Sequence, residues 1–238
     1  MNDGDDPFEL GAQFKLDVVR IGTERSPVVV IENFLKDAEG LCELAASSAV
    51  FRPVEGIVYP GNRAPLPARY ETAFRRYLQQ SVREIFGFGA KDIVRSQGDF
   101  SMVMVRPENL QIVQRMPHFD GTERGMIAGV HYLCPASKGG TSFYRHRRTG
   151  YENITEARNG IYLRTLKEEA RTMGIPPVAY MNGETPQFQR IGSFDAVFNR
   201  MLIYRGSILH SGNIAPDFDF DPDPRTGRLT ANTFYLFG

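Results

Sequence analysis

The chain has 238 residues but only four histidines, and one of them, His118, stands two residues before Asp120 in the stretch "MPHFDG". In an extended segment side chains alternate, so residues i and i+2 face the same way. At a strand end, His118 and Asp120 would aim an imidazole nitrogen and a carboxylate oxygen at one divalent metal. The plain alternative is an ordinary turn carrying a solvated pair. A metal needs a third ligand. His210, in "YRGSILHSGN" at the end of an apolar stretch, can supply it if the fold returns that strand end to the first pair. Two histidines and one carboxylate leave coordination positions open, the facial arrangement of non-haem Fe(II) oxygenases.

A second feature lies in "GRLTANTFYLF". Arg228, Thr230 and Asn232 share one face of that strand by alternation. An arginine on an inner face is costly unless it meets an anion, and its planar fork matches a carboxylate. The distal carboxylate of 2-oxoglutarate is such an anion, and Thr230 could donate to it. The competing readings are an exposed edge arginine or a pair with Asp219 or Asp221. A third feature is the basic run Arg145, His146, Arg147 and Arg148 in a chain of no net charge. It reads either as a solvated turn or as a rim site for an acidic, carboxylate-bearing substrate. His131, inside "AGVHYLCP", reads as a core or wall histidine. Cys134 reads as inert. "GNRAPLP", stiffened by prolines, reads as a lid.

These groups need a scaffold. Residues 1–12 are expected to be disordered or loosely attached. "FKLDVVRIG" and "SPVVVIENF" read as strands, and "LKDAEGLCELAASSAVF" as a helix. "RPVEGIVYPGNRAPLPARY" reads as loop. "ARYETAFRRYLQQSVREIFG" reads as one helix closed by Gly87. From residue 100 onward, short strands are separated by turn residues: "DFSMVMV", "LQIVQ", "GMIAGVHYLC", "TSFYRH", "FQRIGSF", "AVFNRMLIYRG", "SILHSG" and "RLTANTFYLF". One helix, "EARNGIYLRTLKEEARTMG", interrupts them. The expectation is an α+β chain that is mainly β, with residues 13–238 forming a single double-stranded β-helix, or jelly roll. It carries N-terminal helices and a helical insertion near 150–187.

Composition narrows the classes. The 28 basic and 28 acidic residues cancel, so no global positive field argues for nucleic acid or an anionic membrane surface. No apolar run reaches the ~18 residues of a membrane span. The two cysteines, Cys42 and Cys134, form no CxxC pattern, and the acidic start lacks the basic and apolar regions of a signal peptide. A reducing, cytoplasmic setting with free thiols is expected. The oligomeric state stays open, a dimer included.

Taken together, "PHFDG", "KGGTSFYRH", "LHSGN" and "GRLTANTF" resemble the 2-oxoglutarate- and Fe(II)-dependent oxygenases of the prolyl-hydroxylase type, and most closely an uncharacterised bacterial family among them. "VVVIENFLKDAEGLCELA" is similar to the strand and helix before the barrel in that group. The resemblance spans most of residues 25–238. It implies Fe(II) held by His118, Asp120 and His210, with 2-oxoglutarate chelating the metal and meeting Arg228. Hydroxylation of a small molecule or amino-acid-like substrate is the implied default. Many relatives carry a cosubstrate-binding tyrosine shortly before His-x-Asp, whereas "RPENLQIVQRMP" has none. Two rival readings remain: a cupin-like metalloprotein without 2-oxoglutarate, and a non-catalytic jelly-roll binding module.

Overall fold

The computed structural model describes residues 7–54 and 59–238. Strands β1 (Lys15–Ile21) and β2 (Ser26–Glu32) precede helix α1 (Ala38–Ser48). Next come β3 (Arg52–Pro53), β4 (Gly61–Pro65), α2 (Ala68–Tyr77), α3 (Gln79–Phe86) and β5 (Ile93–Val103). Strands β6 (Met126–Tyr132) and β7 (Thr141–His146) lead to α4 (Glu156–Met173), and then β8 (Phe188–Phe194), β9 (Met201–Arg205), β10 (His210–Gly212) and β11 (Leu229–Phe237) complete the order. The result is mainly β with flanking helices. One sheet runs β1-β2-β9-β6-β11-β5-β4-β3 and a smaller one β10-β7-β8. Neighbouring strands pair antiparallel throughout both.

Alternation along β11 divides the large sheet into two faces. Leu229, Ala231, Tyr235 and Phe237 lie in the core under helices α1 to α3, with Leu41, Phe74 and Phe86. The opposite face carries Ala128, Tyr132, Leu202 and Tyr204, which pack against Phe143 of the small sheet. The next residue of β7, Tyr144, points the other way and packs with Phe188 and with Tyr162 of α4. Apolar packing thus lies between the two sheets and on the outer face of each, each buried side chain worth roughly 1.5–3 kcal/mol.

Several elements differ from the sequence expectation. Residues 7–12 are docked rather than loose: Leu10 bridges Leu35, and the Gly11 amide donates to Phe34. Residues 1–6 lie outside the described residues. "LQIVQ" forms no strand; Ile112–Arg115 is a 3-10 turn whose Gln111 and Gln114 make a capping box, so local side-chain bonds outcompete pairing. The long helix breaks at Leu78 (φ −116°), and the break buries Leu78, Val82 and Phe86 together. Its Gly87 stop is left-handed, φ 68°. Part of the expected loop and lid is strand β4, paired to β5 with Arg63 opposite Ser101; residues 55–58 of that stretch lie outside the described residues.

Candidate metal centre and cosubstrate cavity

The metal-ligand candidates converge through backbone pairing. His118 and His210 are opposite each other in an isolated antiparallel bridge. Each donates its amide to the other's carbonyl, at 2.9 and 2.8 Å. The Asp120 amide donates to the Gly206 carbonyl at 2.7 Å, so the segment stays extended along the chain leading into β10. His118 and Asp120 therefore point the same way. His118 Nε2 lies 3.9 Å from Asp120 Oδ1, and His210 Nε2 lies 3.6 Å from Asp120 Oδ2. One ligand atom from each residue falls within 4.8 Å of the other two.

The surroundings suit deprotonated ligands. His210 Nδ1 lies 2.9 Å from the Ile208 carbonyl. A carbonyl only accepts, so Nδ1 carries a proton, and Nε2, the nitrogen that faces Asp120, is the one available to a metal. Tyr204 and Phe143 rings pack against the same imidazole, with centroids at 4.8 and 6.3 Å. Burial, then the His210 and Arg63 charges, hold His118 well below the usual imidazole range. Burial pushes the Asp120 carboxyl up, while His210 and Arg63 pull it back. Asp120 Oδ2 is buried and makes no hydrogen bond. An unpaired buried carboxylate oxygen is expensive, and a bound cation would relieve it.

The triad opens onto a cavity of about 720 Å³. Arg228, 4 % exposed, lines the same cavity. Its Nη2 donates to the Gly140 carbonyl at 3.3 Å, while its Nε is buried without a partner. The competing acids are engaged elsewhere: Asp219 with Lys138 at 2.6 Å and Asp221 with Thr226 at 2.6 Å. The glycines before β7 make the approach. A Cβ on Gly139 (φ +80°) would fall 1.8 Å from the Asn213 carbonyl oxygen, and one on Gly140 1.9 Å from that of Phe194. Gly212 on β10 leaves Arg228 Nη2 room at 3.6 Å from where a Cβ would sit. Gly212 is two residues beyond His210, about 6.6 Å along a strand.

Thr230 is fully buried, and its hydroxyl faces the Ser101 carbonyl, at 3.4 Å, and the phenol of Tyr59. It does not line the cavity; Tyr59 does. Tyr59 Oη is buried without a hydrogen bond, and burial pushes its phenol up against the pull of Arg228. Tyr180 also lines this end and donates to the Val105 carbonyl at 2.5 Å. These phenols stand near Arg228 although the stretch before His118 has none. Neither sits in a periodic element, and no short-range pattern marks them.

The basic run does not form a rim site. Arg145 clamps the buried Glu152 carboxylate, which also takes the Thr23 and Glu24 amides. His146 is fully buried between Glu169 (2.8 Å) and Thr149 (2.9 Å). Arg147 pairs with Glu184 and Arg148 with Glu168. None of the four lines the cavity. Each arginine is paired with a carboxylate, and His146 with Glu169 of α4. Gly22 (φ +65°) makes room for the clamp, since a Cβ there would fall 2.1 Å from Glu152 Oε2.

Burial alone would push the Glu152 carboxyl up, but these hydrogen bonds outweigh it and hold it below 4.5. Its contribution is therefore complete above about pH 4.5 and is lost as pH falls through the lowered folded value. Arg145→Ala should cost about 3 kcal/mol in urea unfolding at pH 7. It should also flatten the loss of stability below pH 4.5. An unchanged midpoint would mean that the backbone donors suffice.

His131 is a core histidine, as its strand position suggested. Asn199 Oδ1 accepts from Nε2 at 3.0 Å, which leaves Nδ1 to accept from the Tyr70 hydroxyl at 3.0 Å. Burial lowers its pKa from 6.5 to about 4. The neutral form is the folded form, so its contribution is complete above pH 6.5 and is lost as pH falls toward 4. The shift corresponds to about 3 kcal/mol. His131→Gln should remove that slope from stability measured between pH 6.5 and 4; an identical slope in the variant would assign it elsewhere. Cys134 is buried with its thiol pushed up to about 11, which suits an inert role. Arg205 donates to the Phe86 and Arg124 carbonyls and stays outside the cavity.

One family model, described as "Family of unknown function (DUF6445)", matches residues 12–235. No curated protein matches. Solved structures similar to the chain include the non-haem α-ketoglutarate-dependent carbocyclase SnoK from nogalamycin biosynthesis. It is 12% identical at TM-score 0.48, over 90% of this chain and 80% of that one. HygX from Streptomyces hygroscopicus, solved with nickel, 2-oxoglutarate and hygromycin B, is 11% identical at 0.44, over 90% and 84%. An N-substituted L-amino acid dioxygenase from Burkholderia ambifaria is 9% identical at 0.42, over 96% and 95%. Among the described residues, no helix is long and apolar enough to cross a membrane.

Proposed function

The chain belongs to the DUF6445 family, and we propose that it is a non-haem Fe(II)- and 2-oxoglutarate-dependent oxygenase of a small molecule. One observation carries the reading. A His-Asp-His set with an unpartnered carboxylate oxygen shares a cavity with a buried arginine whose Nε is unpartnered. A metalloprotein without a dicarboxylate cosubstrate has no use for that arginine. A binding module without a metal has no use for the triad. On this reading the two sheets are the walls of a double-stranded β-helix.

The residues fit the group they would hold. His118, Asp120 and His210 offer two imidazole nitrogens and a carboxylate, leaving other positions for cosubstrate and oxygen. When bound, Fe(II) would activate O₂, the oxidant, with 2-oxoglutarate as the two-electron co-reductant, in RH + O₂ + 2-oxoglutarate → ROH + succinate + CO₂. The chain's own groups bind and orient. The Ile208 carbonyl fixes the His210 tautomer. Arg228 receives the far carboxylate, with Tyr59 as a second donor. Phe143, Tyr204 and Phe234 give apolar surface that excludes water, so charge interactions inside are screened less.

The test is an anaerobic titration of 2-oxoglutarate into the Fe(II)-loaded protein. A weak visible charge-transfer band should develop with saturation. Metal binding without that band would favour the cupin-like reading, and no metal binding would favour the binding module.

A further inference from the structure

The cavity holds a second arginine that the cosubstrate leaves unused. Arg63 of β4 lines it with a side chain only 11% exposed. Its Nε is buried and unpartnered, and its Nη1 stays 3.6 Å from Asp99 Oδ2, beyond a good hydrogen bond. The guanidinium lies over the Tyr59 ring at 4.9 Å. Its charge is felt at both His118 and Asp120. The charge of Arg228 is felt at the phenols of Tyr59, Tyr132, Tyr180 and Tyr204, and that of Arg63 reaches Tyr59 as well. Two guanidiniums thus occupy two stations, with Tyr59 between them.

2-Oxoglutarate has two carboxylates. On the reading above, one goes to the metal and one to Arg228, so neither is left for Arg63. Asp99 meets only the Nη1 edge of the guanidinium, at 3.6 Å, so a carboxylate for the unpartnered Nε edge has to come from another ligand. Two residues along the same face from the Arg63–Ser101–Thr230 row stands Asn232, opposite Asp99 in register. Its Oδ1 is buried without a donor, and it lines the cavity. A buried acceptor that faces the cavity without a donor calls for a hydrogen-bond donor, which an ammonium supplies most strongly. A cavity of about 720 Å³ falls in the range that holds sizeable ligands.

We infer that Arg63 is the receptor for a substrate carboxylate, and that the substrate is a small amino acid whose amine faces Asn232. The inference rests on the oxygenase reading but goes beyond it. It makes β4 part of the substrate site, where the sequence suggested a lid. Arg63 is then what orients the substrate beside the metal ligands.

The experiment uses the anaerobic Fe(II)- and 2-oxoglutarate-loaded protein. The twenty L-amino acids and their carboxamides are titrated one by one, with the metal-centred visible spectrum and calorimetry as readouts. At least one amino acid should bind while its amide does not. Arg63→Gln should weaken that binding about 10- to 150-fold. Arg63→Lys, which keeps the charge without the fork, should restore part of it. Fe(II) content and 2-oxoglutarate affinity should stay within about twofold of wild type in both variants, which also reports that they fold. The inference falls if no amino acid binds, if the amide binds equally, or if Arg63→Gln leaves amino-acid binding unchanged. It also falls if Arg63→Gln weakens 2-oxoglutarate as much as the amino acid, since Arg63 would then serve the cosubstrate. Failure of the wild-type protein to bind Fe(II) or 2-oxoglutarate would instead overturn the oxygenase reading itself.

Discussion

Asp120→Ala is expected to strip the protein of Fe(II) while leaving it folded and at least as stable without metal. Removing a group behind a metal ligand already costs 10- to 100-fold in affinity, so deleting a ligand should cost at least about 100-fold. The fold has little to lose. Asp120 Oδ2 is buried with no hydrogen bond, and burial pushes its carboxyl up. In the metal-free protein that oxygen is a liability, and an alanine removes it. His118→Ala and His210→Ala should lose metal equally. The bridge between them uses backbone groups, which the substitutions keep. The measurement pairs metal analysis after gel filtration with thermal unfolding. At free Fe(II) a hundred times the dissociation constant, wild type should gain about 2.7 kcal/mol, and the three variants should gain almost nothing. His131→Gln should keep its metal. Wild-type Fe(II) content in all three ligand variants would sink the assignment.

How far this site could be read from sequence depends on the kind of signal each residue carries. His118 and Asp120 are separated by one residue, so alternation alone relates them. His210 and Arg228 stand at the ends of recognisable strands, and an antiparallel fold brings such ends together. The signal fails where function comes from irregular backbone. Tyr59 and Tyr180 lie outside strands and helices, and nothing local marks a loop tyrosine as a cavity wall. Arg63 was hidden because glycines and prolines around β4 read as loop; the strand pairs at Gly61–Pro65, where the prolines fall at its ends. The basic run misled for a different reason. Its partners, Glu152, Glu168, Glu169 and Glu184, become neighbours only when α4 and the turns beside it fold back, so a cluster of positive charge in sequence is neutral in space. Composition likewise reported a balanced chain, not where buried charges stay unpaired.

Arg228→Ala is expected to separate cosubstrate binding from metal binding. The side chain is 4 % exposed, lies over the Tyr132 ring at 6.0 Å and makes one hydrogen bond, from Nη2 to the Gly140 carbonyl. Its Nε is left over, and no acidic partner competes, because Asp219 and Asp221 are bound elsewhere. Losing it removes a charged donor from a poorly solvated carboxylate. A hydrogen bond to a charged group contributes roughly 1.5–3 kcal/mol. Each 1.4 kcal/mol is a factor of ten, so 2-oxoglutarate binding should weaken by about 10- to 150-fold. Arg228→Lys should recover only part, since a point charge replaces a fork. Tyr59→Phe should weaken binding by a smaller factor, the value of one neutral donor, roughly 0.5–1.5 kcal/mol. Fe(II) content should stay near wild type in every case, because Arg228 reaches none of the three ligands. Anaerobic calorimetry with 2-oxoglutarate decides the matter. If Arg228→Ala binds 2-oxoglutarate as tightly as wild type, the arginine holds the β7 and β10 strand ends in place, and the dicarboxylate must be met by Arg63.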